Sequence, residues 1–302
     1  MKYAWIANHI DDFDLQTMFQ VFDVPKSSYF SWLNVDHHAK EASEQSLHEL
    51  VIEAFDELEG NAGTRVIKGY LLHEFDIRVS RRKIGKIFNA AGLRVKTRKK
   101  FRKPNVAAID DPRIADNLLN RHFDVSHPNQ VWVGDITEVK TSQGKGYLAA
   151  YIDLFSRSVV GWAFDKHMRS DLVETALKRA LWNRKPPKGL MVHTDQGRQF
   201  VSDNYLTLLK SWFLKPSMSR RGNCWDNAVI ESFFKTLKTE KIYQLPKLLT
   251  QRETRWQVQT FIGHYNHKRP HSKNDYIAPA KFEKLHRERA EAKAKNLGTK
   301  KC

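Results

Sequence analysis

The sequence predicts an α/β protein in which an all-helical region precedes a mixed five-stranded sheet flanked by helices. Up to residue 95, apolar residues recur at the three- and four-residue spacing that is typical of helices. From residue 131 the pattern changes, and the predicted elements follow in the order β-β-β-α-β-α-β-α. Short connections between the first three strands indicate antiparallel pairing. The helices between the later strands indicate a mixed sheet covered by helices.

Composition excludes several classes of protein. The chain has 302 residues, of which 41% are apolar, so it can bury a sizeable core and is not wholly disordered. It contains no run of 18 uncharged apolar residues and no apolar signal-peptide core, so we expect a cytoplasmic protein associated with the nucleoid. The two cysteines, Cys224 and Cys302, lie far apart, which excludes a disulfide framework and a paired-cysteine zinc site.

The distribution of charge points to a polyanionic partner. The net charge is +17, from 51 Lys and Arg against 34 Asp and Glu. Residues 1–60 hold 12 acidic and 3 basic residues, whereas residues 78–103 hold 12 basic residues and no acidic one. A basic block of this kind is typical of proteins that bind nucleic acid.

The first half of the chain is predicted to contain short helices. Residues 12–33 form two of them, 47–58 form an amphipathic helix, and apolar residues near 66–71 indicate another. Ser80 is the expected N-cap of the next helix, which ends near Gly92. The predicted segments of the whole chain are a small N-terminal helical segment 1–40, a helix-turn-helix DNA-binding domain 44–95, a basic linker and tether 96–128, an α/β core 129–245, and a C-terminal helical extension with a charged tail 246–302.

The helix that follows Ser80 opens with basic residues, as a DNA-recognition helix does. The alternative interpretation is a solvated basic face on an ordinary helical bundle. The stretch that follows this helix in sequence contains no acidic residue, and this favours DNA contact. The predicted DNA contacts in this helix and in the acid-free stretch after it are Arg81, Arg82, Lys83, Lys86, Arg98, Lys99 and Lys100.

Farther along the chain, within the predicted tether, a short helix is expected around Asp116–Arg121.

Two later helices carry start signals of their own. The helix within 225–241 is expected to begin at Asp226 as its N-cap, with Trp225 and Ile230 forming a hydrophobic staple. Thr250 and Glu253 form a capping box for a further helix, which buries the apolar residues Val258, Phe261, Ile262 and Tyr265.

Three carboxylates are the candidate catalytic and metal-binding residues. Asp135 lies within an otherwise apolar strand, Asp195 ends another, and Glu231 lies on a helix. Carboxylates without a thiol or histidine cluster suit Mg²⁺ or Mn²⁺, and two such ions can promote phosphodiester chemistry. Taken alone, each carboxylate is more often a cap or an ion-pair partner.

Other residues near these carboxylates are candidates for supporting roles, and Asn227 is a candidate for lining the site. Asn227, Lys235 and Lys238 share a helix face with Glu231, and the two lysines are predicted to hold the DNA backbone. His193 either lines the site or packs in the core. Asp153 is interpreted as the structural partner of Arg157. Two cations of the segment YNHKRPHS, Lys268 and Arg269, are predicted to meet DNA phosphate.

Several motifs together resemble those of DDE transposases and retroviral-type integrases. The segments WVGDIT, HTDQGRQF and NCWDNAVIESFFKTLK carry the resemblance, and the 35 residues between Asp195 and Glu231 match the spacing typical of that group. The similarity extends over nearly the whole chain to the second-reading-frame product of the insertion-sequence-three family. Arg198 stands where that family usually has a small Ser, so this cation either touches DNA or is simply exposed. The segment NAGTRV also departs from a glycine- and tyrosine-rich pattern of the family.

The resemblance implies a ribonuclease-H-like core in which Asp135, Asp195 and Glu231 bind two Mg²⁺ or Mn²⁺ ions within metal-bridging reach of one another. It implies cleavage and transfer of DNA strands at the terminal inverted repeats of an insertion sequence, with target DNA as a further partner and a dimer or larger assembly. The resemblance also implies the product of an upstream reading frame as a partner, either fused to this chain or separate from it. The alternatives are a non-catalytic DNA-binding accessory subunit of a transposition complex and a metal-dependent nuclease without end specificity.

Overall fold

The computed structural model describes residues 2–33, 37–96, 111–220 and 224–298. The helices are α1 (Lys2–Asn8), α2 (Leu15–Val21), α3 (Lys26–Leu33), α4 (His37–Glu57), α5 (Thr64–Phe75), α6 (Arg81–Ala90), α7 (Ser170–Arg184), α8 (Asp203–Ser211), α9 (Ala228–Glu240), α10 (Gln251–His267) and α11 (Pro279–Gly298). The strands are β1 (Val131–Thr141), β2 (Gly144–Asp153), β3 (Val159–Asp165), β4 (Met191–Thr194) and β5 (Lys215–Met218). In this part of the chain, no helix combines the length and apolarity that crossing a bilayer requires.

The five strands form one mixed sheet in the order β3-β2-β1-β4-β5. β1 pairs antiparallel with β2, and β2 pairs antiparallel with β3, which confirms the predicted meander. β4 lies parallel to both β1 and β5. The predicted fold class, a mixed five-stranded sheet with flanking helices behind an all-helical region, is therefore confirmed.

Alternating residues of the strands build a core on each face of the sheet. Trp132 faces the side covered by α7 and α8, and its neighbour Val133 faces the side covered by α9 and α10. Both side chains are fully buried. Helix α10 contributes Val258 and Phe261 to the second core, so the C-terminal extension shares a core with the sheet.

The helical region has cores of its own. Helices α4, α5 and α6 pack around Ile67, Leu71 and Ile84, all fully buried. The predicted N-cap of α6 is confirmed, because the Ser80 side chain accepts a hydrogen bond from Lys83 N at 3.2 Å. Helices α1 to α3 enclose a smaller cluster that includes Ile6. Helix α1 is an element that apolar spacing alone did not predict.

The tether ahead of the sheet contains no helix in its described part, residues 111–128, so the prediction of one around Asp116–Arg121 is wrong. Asn120 and Arg121 have positive φ angles of 40° and 62°, which helical backbone excludes. The amides of Leu118 and Leu119 bind the Ser217 hydroxyl at 2.9 and 3.2 Å. Hydrogen bonding to β5 therefore replaces the hydrogen bonds of a helix.

Candidate active site

Asp135 lies in the middle strand of the sheet, at a point where the neighbouring backbone is closely packed. Its carboxylate is half-buried and accepts a hydrogen bond from Ile136 N at 2.7 Å. The preceding residue is Gly134, where an added Cβ would come within 2.4 Å of the Tyr151 ring. The glycine therefore lets the tyrosine lie directly beside the strand that carries Asp135.

Asp195 follows β4, the strand that runs parallel to β1. The last registered pair between the two strands is Val133 with His193, and Asp135 and Asp195 each lie two residues farther on. Parallel strands are about 4.8 Å apart, so this register brings the two aspartates to neighbouring positions. One Asp195 oxygen accepts a hydrogen bond from Gly197 N at 3.0 Å.

A buried tyrosine pair gives a second indication that the two aspartates are close. The Tyr151 hydroxyl donates to the Tyr205 hydroxyl at 3.0 Å, and both side chains are buried. Burial raises the pKa of each tyrosine, and the charge of nearby Asp195 acts in the same direction. Since the Tyr151 ring covers Gly134, Asp195 lies near the backbone that carries Asp135. The sequence analysis did not single out this tyrosine pair.

Glu231 reaches the same region from helix α9. Asn227, just before this helix, donates from its Nδ2 to the Gly134 carbonyl at 3.3 Å. Its own Oδ1 is buried and has no hydrogen-bond partner among the described residues. Glu231 follows Asn227 by four residues, about one helical turn, and is half-buried. The contact between Asn227 and Gly134 thus directs the start of α9 toward Asp135, which agrees with the interpretation of Asn227 as a site-lining residue.

The three carboxylates do not form a finished metal site in this conformation. Among the residues that the structure describes, no three His, Cys, Asp or Glu side chains are grouped closely enough to hold a metal ion. The expectation that the three lie within metal-bridging reach of one another stays a prediction. Like charges brought together without a cation repel one another, and Asp135 and Asp195 each accept a nearby backbone N–H instead. The donor chemistry still fits Mg²⁺ or Mn²⁺, because carboxylate oxygens and the unpartnered Asn227 Oδ1 are hard ligands.

Comparison with known proteins assigns the chain to a family. Residues 42–101 match the family model of an HTH-like domain, and residues 125–224 and 214–279 each match a model of an integrase core domain. The transposase InsF for insertion sequence IS3A of Escherichia coli (strain K12) is 35% identical over 289 residues, which is 94% of this chain and 98% of that protein. This chain belongs to the insertion-sequence-three family of transposases.

A second curated relative supports this assignment, and a solved structure shows a weaker likeness that does not bear on it. The transposase for insertion sequence element IS904 of Lactococcus lactis subsp. lactis (strain IL1403) is 38% identical over 250 residues, covering 81% of this chain and 96% of that one. The structure of the HTLV-2 integrase catalytic core domain in complex with magnesium (trimeric form) shares 21% identity over 50% of this chain and 94% of that chain, with a TM-score of 0.41.

The transposase accordingly acts in DNA transposition and integration, and its family is one of polynucleotidyl transferases. Nothing in these likenesses favours the alternative of a non-catalytic accessory subunit.

His193 of the transposase is a packed residue. It is fully buried, with Nδ1 2.9 Å from the Ser217 hydroxyl and Nε2 3.2 Å from that of Ser219. Burial lowers the pKa of His193 to about 4, although the charge of nearby Asp226 acts in the opposite direction. The imidazole is therefore neutral at pH 7. Of the two interpretations that the sequence left open, the structure favours packing over lining the site.

Two structural aspartates differ from their predicted roles. Asp226 does not cap α9, whose N-cap residue is Asn227, without a side-chain capping bond. Asp226 is instead fully buried among long-range partners. The Asp153 carboxylate accepts hydrogen bonds from the backbone amides of Asn129 and Phe155 at 2.7 and 2.9 Å. Arg157 contacts Asp153 through a backbone hydrogen bond, from Arg157 N to the Asp153 carbonyl at 2.8 Å. The predicted staple partner Trp225 has a side chain outside the described part of the structure.

The predicted DNA-recognition helix presents cations to solvent. Arg81, Arg82 and Lys86 of α6 are exposed. Lys83 is half-buried and pairs with Glu44 at 2.6 Å, so part of its charge is compensated within the helical region. The remaining predicted contacts in this segment, Arg98, Lys99 and Lys100, lie outside the described residues.

The cations nearer the carboxylates divide into exposed and internally paired groups. Lys235 and Arg198 are exposed, as contact with DNA requires. Lys238 is only 5% exposed, so its prediction as a DNA contact is wrong: its side chain is buried within the protein.

The two cations of the segment YNHKRPHS are also paired within the protein. Arg269 donates from Nε to Glu240 at 2.8 Å in a largely buried ion pair, which corrects its prediction as a phosphate contact. Lys268 pairs with Glu57 at 2.5 Å and thereby links the end of α10 to α4. Lys268 therefore serves the docking of the helical region onto the core, whereas Arg269 ties the end of α10 to α9 within the core.

Proposed function

We propose that this transposase cleaves DNA strands at the ends of an insertion sequence and joins them to new sites, with Asp135, Asp195 and Glu231 as its catalytic carboxylates. The observation that carries the proposal is the parallel register of β1 and β4, which brings Asp135 and Asp195 together although 59 residues separate them in sequence. The contact of Asn227 with Gly134 directs the helix of Glu231 to the same place.

Divalent cations complete the proposed site. Asp135, Asp195 and Glu231 would hold two Mg²⁺ or Mn²⁺ ions, and the free Oδ1 of Asn227 is a further oxygen donor. Bound ions of this kind make an attacking hydroxyl more acidic and neutralise charge on the leaving oxygen.

The chemistry consists of two displacements at phosphorus. In the first, water attacks a phosphodiester at the end of the element, the bond from phosphorus to the 3′ oxygen breaks, and a 3′-hydroxyl is released. In the second, that hydroxyl attacks another phosphodiester, a new bond from phosphorus to oxygen forms, and the 3′ oxygen of the attacked strand leaves. The three carboxylates are half-buried, so each keeps part of its surface exposed for a substrate.

The DNA partners would be held by two separate surfaces. Arg81, Arg82 and Lys86 of α6 would read the terminal inverted repeats. The basic residues 98–100 would bind the phosphate backbone of the same DNA. Lys235, one turn beyond Glu231, would hold phosphate beside the carboxylates. Joining two ends calls for a dimer or a larger assembly, with target DNA and an upstream reading-frame product as further partners. Its DNA substrate would place the transposase at the nucleoid, in the cytoplasm.

Isosteric variants of the three carboxylates test the proposal. Asp135→Asn, Asp195→Asn and Glu231→Gln each remove one charged ligand with little change of shape, and each should reduce cleavage and joining at least about a thousandfold. The melting temperature should be kept or raised, because repulsion between the carboxylates is relieved. Binding to element ends should persist, because the basic surfaces lie elsewhere.

A matched control lies on the same strand. Glu138 is three residues beyond Asp135, on the opposite face of β1, and pairs with Lys145 at 3.0 Å. Glu138→Gln should cleave like the wild type. Retained cleavage in any one of the three triad variants would remove that residue from the proposed set. Loss of folding in all three would instead favour a structural role for the carboxylates.

A further inference from the structure

Asp226 is a fully buried carboxylate that lies immediately before the helix of Glu231. Its Oδ2 accepts hydrogen bonds from Asn117 Nδ2 at 2.8 Å, from Arg220 N at 3.1 Å and from Arg220 Nε at 3.0 Å. Its Oδ1 accepts from Arg121 Nε at 2.8 Å and from Arg220 Nη2 at 3.0 Å. Five donors from three residues thus converge on one carboxylate.

This number of hydrogen bonds decides what kind of role Asp226 can have. An ionised carboxylate offers about four lone-pair positions, and the five donors occupy them. Asp226 therefore has no free oxygen with which to bind a cation or accept a proton. The hydrogen bonds from Arg220 and Arg121 hold the pKa of Asp226 well below its ordinary value despite burial. Its role is to anchor the backbone that carries it.

The anchored backbone is the start of α9. This helix has no side-chain capping bond of its own, so contacts from other elements set its position. Asp226 ties it to the tether through Asn117 and Arg121, and Asn227 ties it to β1 through the Gly134 carbonyl. Glu231 follows within the first turn and a half of the helix, too close to the anchor to move independently of it.

We propose that Asp226, held by Arg220, Arg121 and Asn117, is a positioning residue that sets Glu231 relative to Asp135 and Asp195. This inference rests on the proposed role of Glu231 as a metal ligand. Loss of a hydrogen bond that orients a metal ligand typically lowers metal affinity or activity ten- to a hundredfold. The reason is that a slightly misplaced ligand binds the metal weakly. Asp226 touches neither DNA nor the reacting atoms, and it acts through the helix that it fixes.

Three variants of the full-length chain test this positioning role. Asp226→Asn keeps the shape of the side chain but removes the charge that attracts both arginines. Arg121→Gln is milder, because Arg220 and Asn117 still hold the carboxylate. Arg113→Gln is the matched control: Arg113 lies on the same tether, pairs with Asp111 at 2.8 Å, and has a side chain 45% exposed against 44% for Arg121.

The main measurement is the affinity of each protein for Mn²⁺, followed by electron paramagnetic resonance in the presence of element-end DNA. We expect Asp226→Asn to bind Mn²⁺ about tenfold more weakly and Arg121→Gln a few-fold more weakly. Arg113→Gln should match the wild type, and all three should bind DNA equally well. Cleavage by Asp226→Asn should recover as Mn²⁺ is raised, whereas cleavage by Glu231→Gln should not.

Each outcome supports or overturns the inference. Wild-type Mn²⁺ affinity and cleavage in both Asp226→Asn and Arg121→Gln would overturn it, even if their melting temperatures fell. If Asp226→Asn does not fold, Arg121→Gln decides, and a result equal to that of Arg113→Gln overturns the positioning role. If the wild type itself neither binds Mn²⁺ nor cleaves, the proposed function fails, and this inference fails with it. That failure appears in the wild-type measurement before any variant is compared.

Discussion

Helices α6 and α9 carry the two charged surfaces on which the proposed function depends, and they are positioned by opposite means. Helix α6 begins with a local cap, in which the Ser80 side chain accepts from Lys83 N three residues later. Helix α9 has no such cap, and its preceding residue Asp226 bonds to Asn117 and Arg121, more than 100 positions away. A helix that presents a binding surface can be specified locally. A helix that must place one carboxylate against two others depends on the rest of the fold.

The same contrast separates the basic residues of the two helices. Arg81 and Arg82 stand on the solvent side of α6 and are exposed. Lys238 of α9, in contrast, is buried. The position of a basic residue along a helix therefore indicates a DNA contact only where its side of the helix faces solvent and the opposite side packs in the core.

Removing core packing from α9 should have the largest effect. Leu237 is fully buried between α9 and the sheet, so Leu237→Ala should destabilise the core by about 2–5 kcal/mol. Cleavage should fall as Glu231 loses its support, while end binding through α6 persists. Leu248→Ala makes the same change at a side chain that is 58% exposed and serves as the control. Equal denaturation midpoints for the two variants would contradict the dependence of α9 on long-range packing.

Acid should weaken the core through His193. Its pKa is about 4 in the folded protein against an ordinary value of 6.5, so between these values the unfolded chain binds a proton that the folded chain does not. The stability from His193 is therefore complete above pH 6.5 and lost as the pH falls toward 4, by at most about 3 kcal/mol.

Buried Asp153 contributes with the opposite sign. Burial raises its pKa to about 6, so the folded chain holds a proton at a pH where the unfolded chain has lost it. Comparing the wild type with His193→Gln cancels this contribution. Melting temperatures across pH 4 to 7 should fall less steeply toward acid in the variant, and parallel curves would show that His193 is not the group responsible.

Neutralising the exposed face of α6 should change recognition without changing stability. Arg81→Gln or Arg82→Gln should cost about 1–3 kcal/mol of preference for element ends over unrelated DNA, as the loss of a base contact does. Lys68→Gln, at an exposed lysine of α5, is the matched control. Fluorescence anisotropy with both DNAs at two salt concentrations measures the effect. An unchanged preference would remove α6 from the role of recognition helix.

The local cap of α6 should give the smallest effect. Ser80→Ala removes the acceptor for Lys83 N and should destabilise the helical region by about 1 kcal/mol. Ser80→Thr retains the hydroxyl and should lose much less. Hydrogen exchange of the amides in α6 reports the change locally, and identical exchange in the two variants would show that the cap does not stabilise this helix.

Features that depend on neighbouring residues were predictable from the sequence. The capping box of Thr250 and Glu253 is present with both of its hydrogen bonds, and the Ser80 cap is confirmed. The strand pattern also yielded the five strands and the antiparallel meander. Each of these features is set within a few residues, where hydrogen-bonding groups and apolar spacing can be recognised directly.

Features that depend on distant partners were not predictable in this way. The helix expected around Asp116–Arg121 is replaced by bonds to Ser217, which lies about 100 positions away in sequence. Arg269 was expected to meet DNA, yet it pairs with Glu240, 29 positions away. The residues adjacent to a hydrogen-bond donor in sequence do not indicate which distant acceptor the fold will place beside it.

The sequence by itself determined the order of strands and helices, the local caps, the basic block and the three candidate carboxylates, because apolar periodicity and residue chemistry act at short range. Tertiary structure alone decided the parallel register of β1 and β4 ahead of Asp135 and Asp195, the hydrogen bonds of Asp226 to Asn117 and Arg121, and the burial of Lys238. These outcomes depend on sheet register and on packing between remote segments. Only the folded chain can bring their donors, acceptors and apolar surfaces within contact distance.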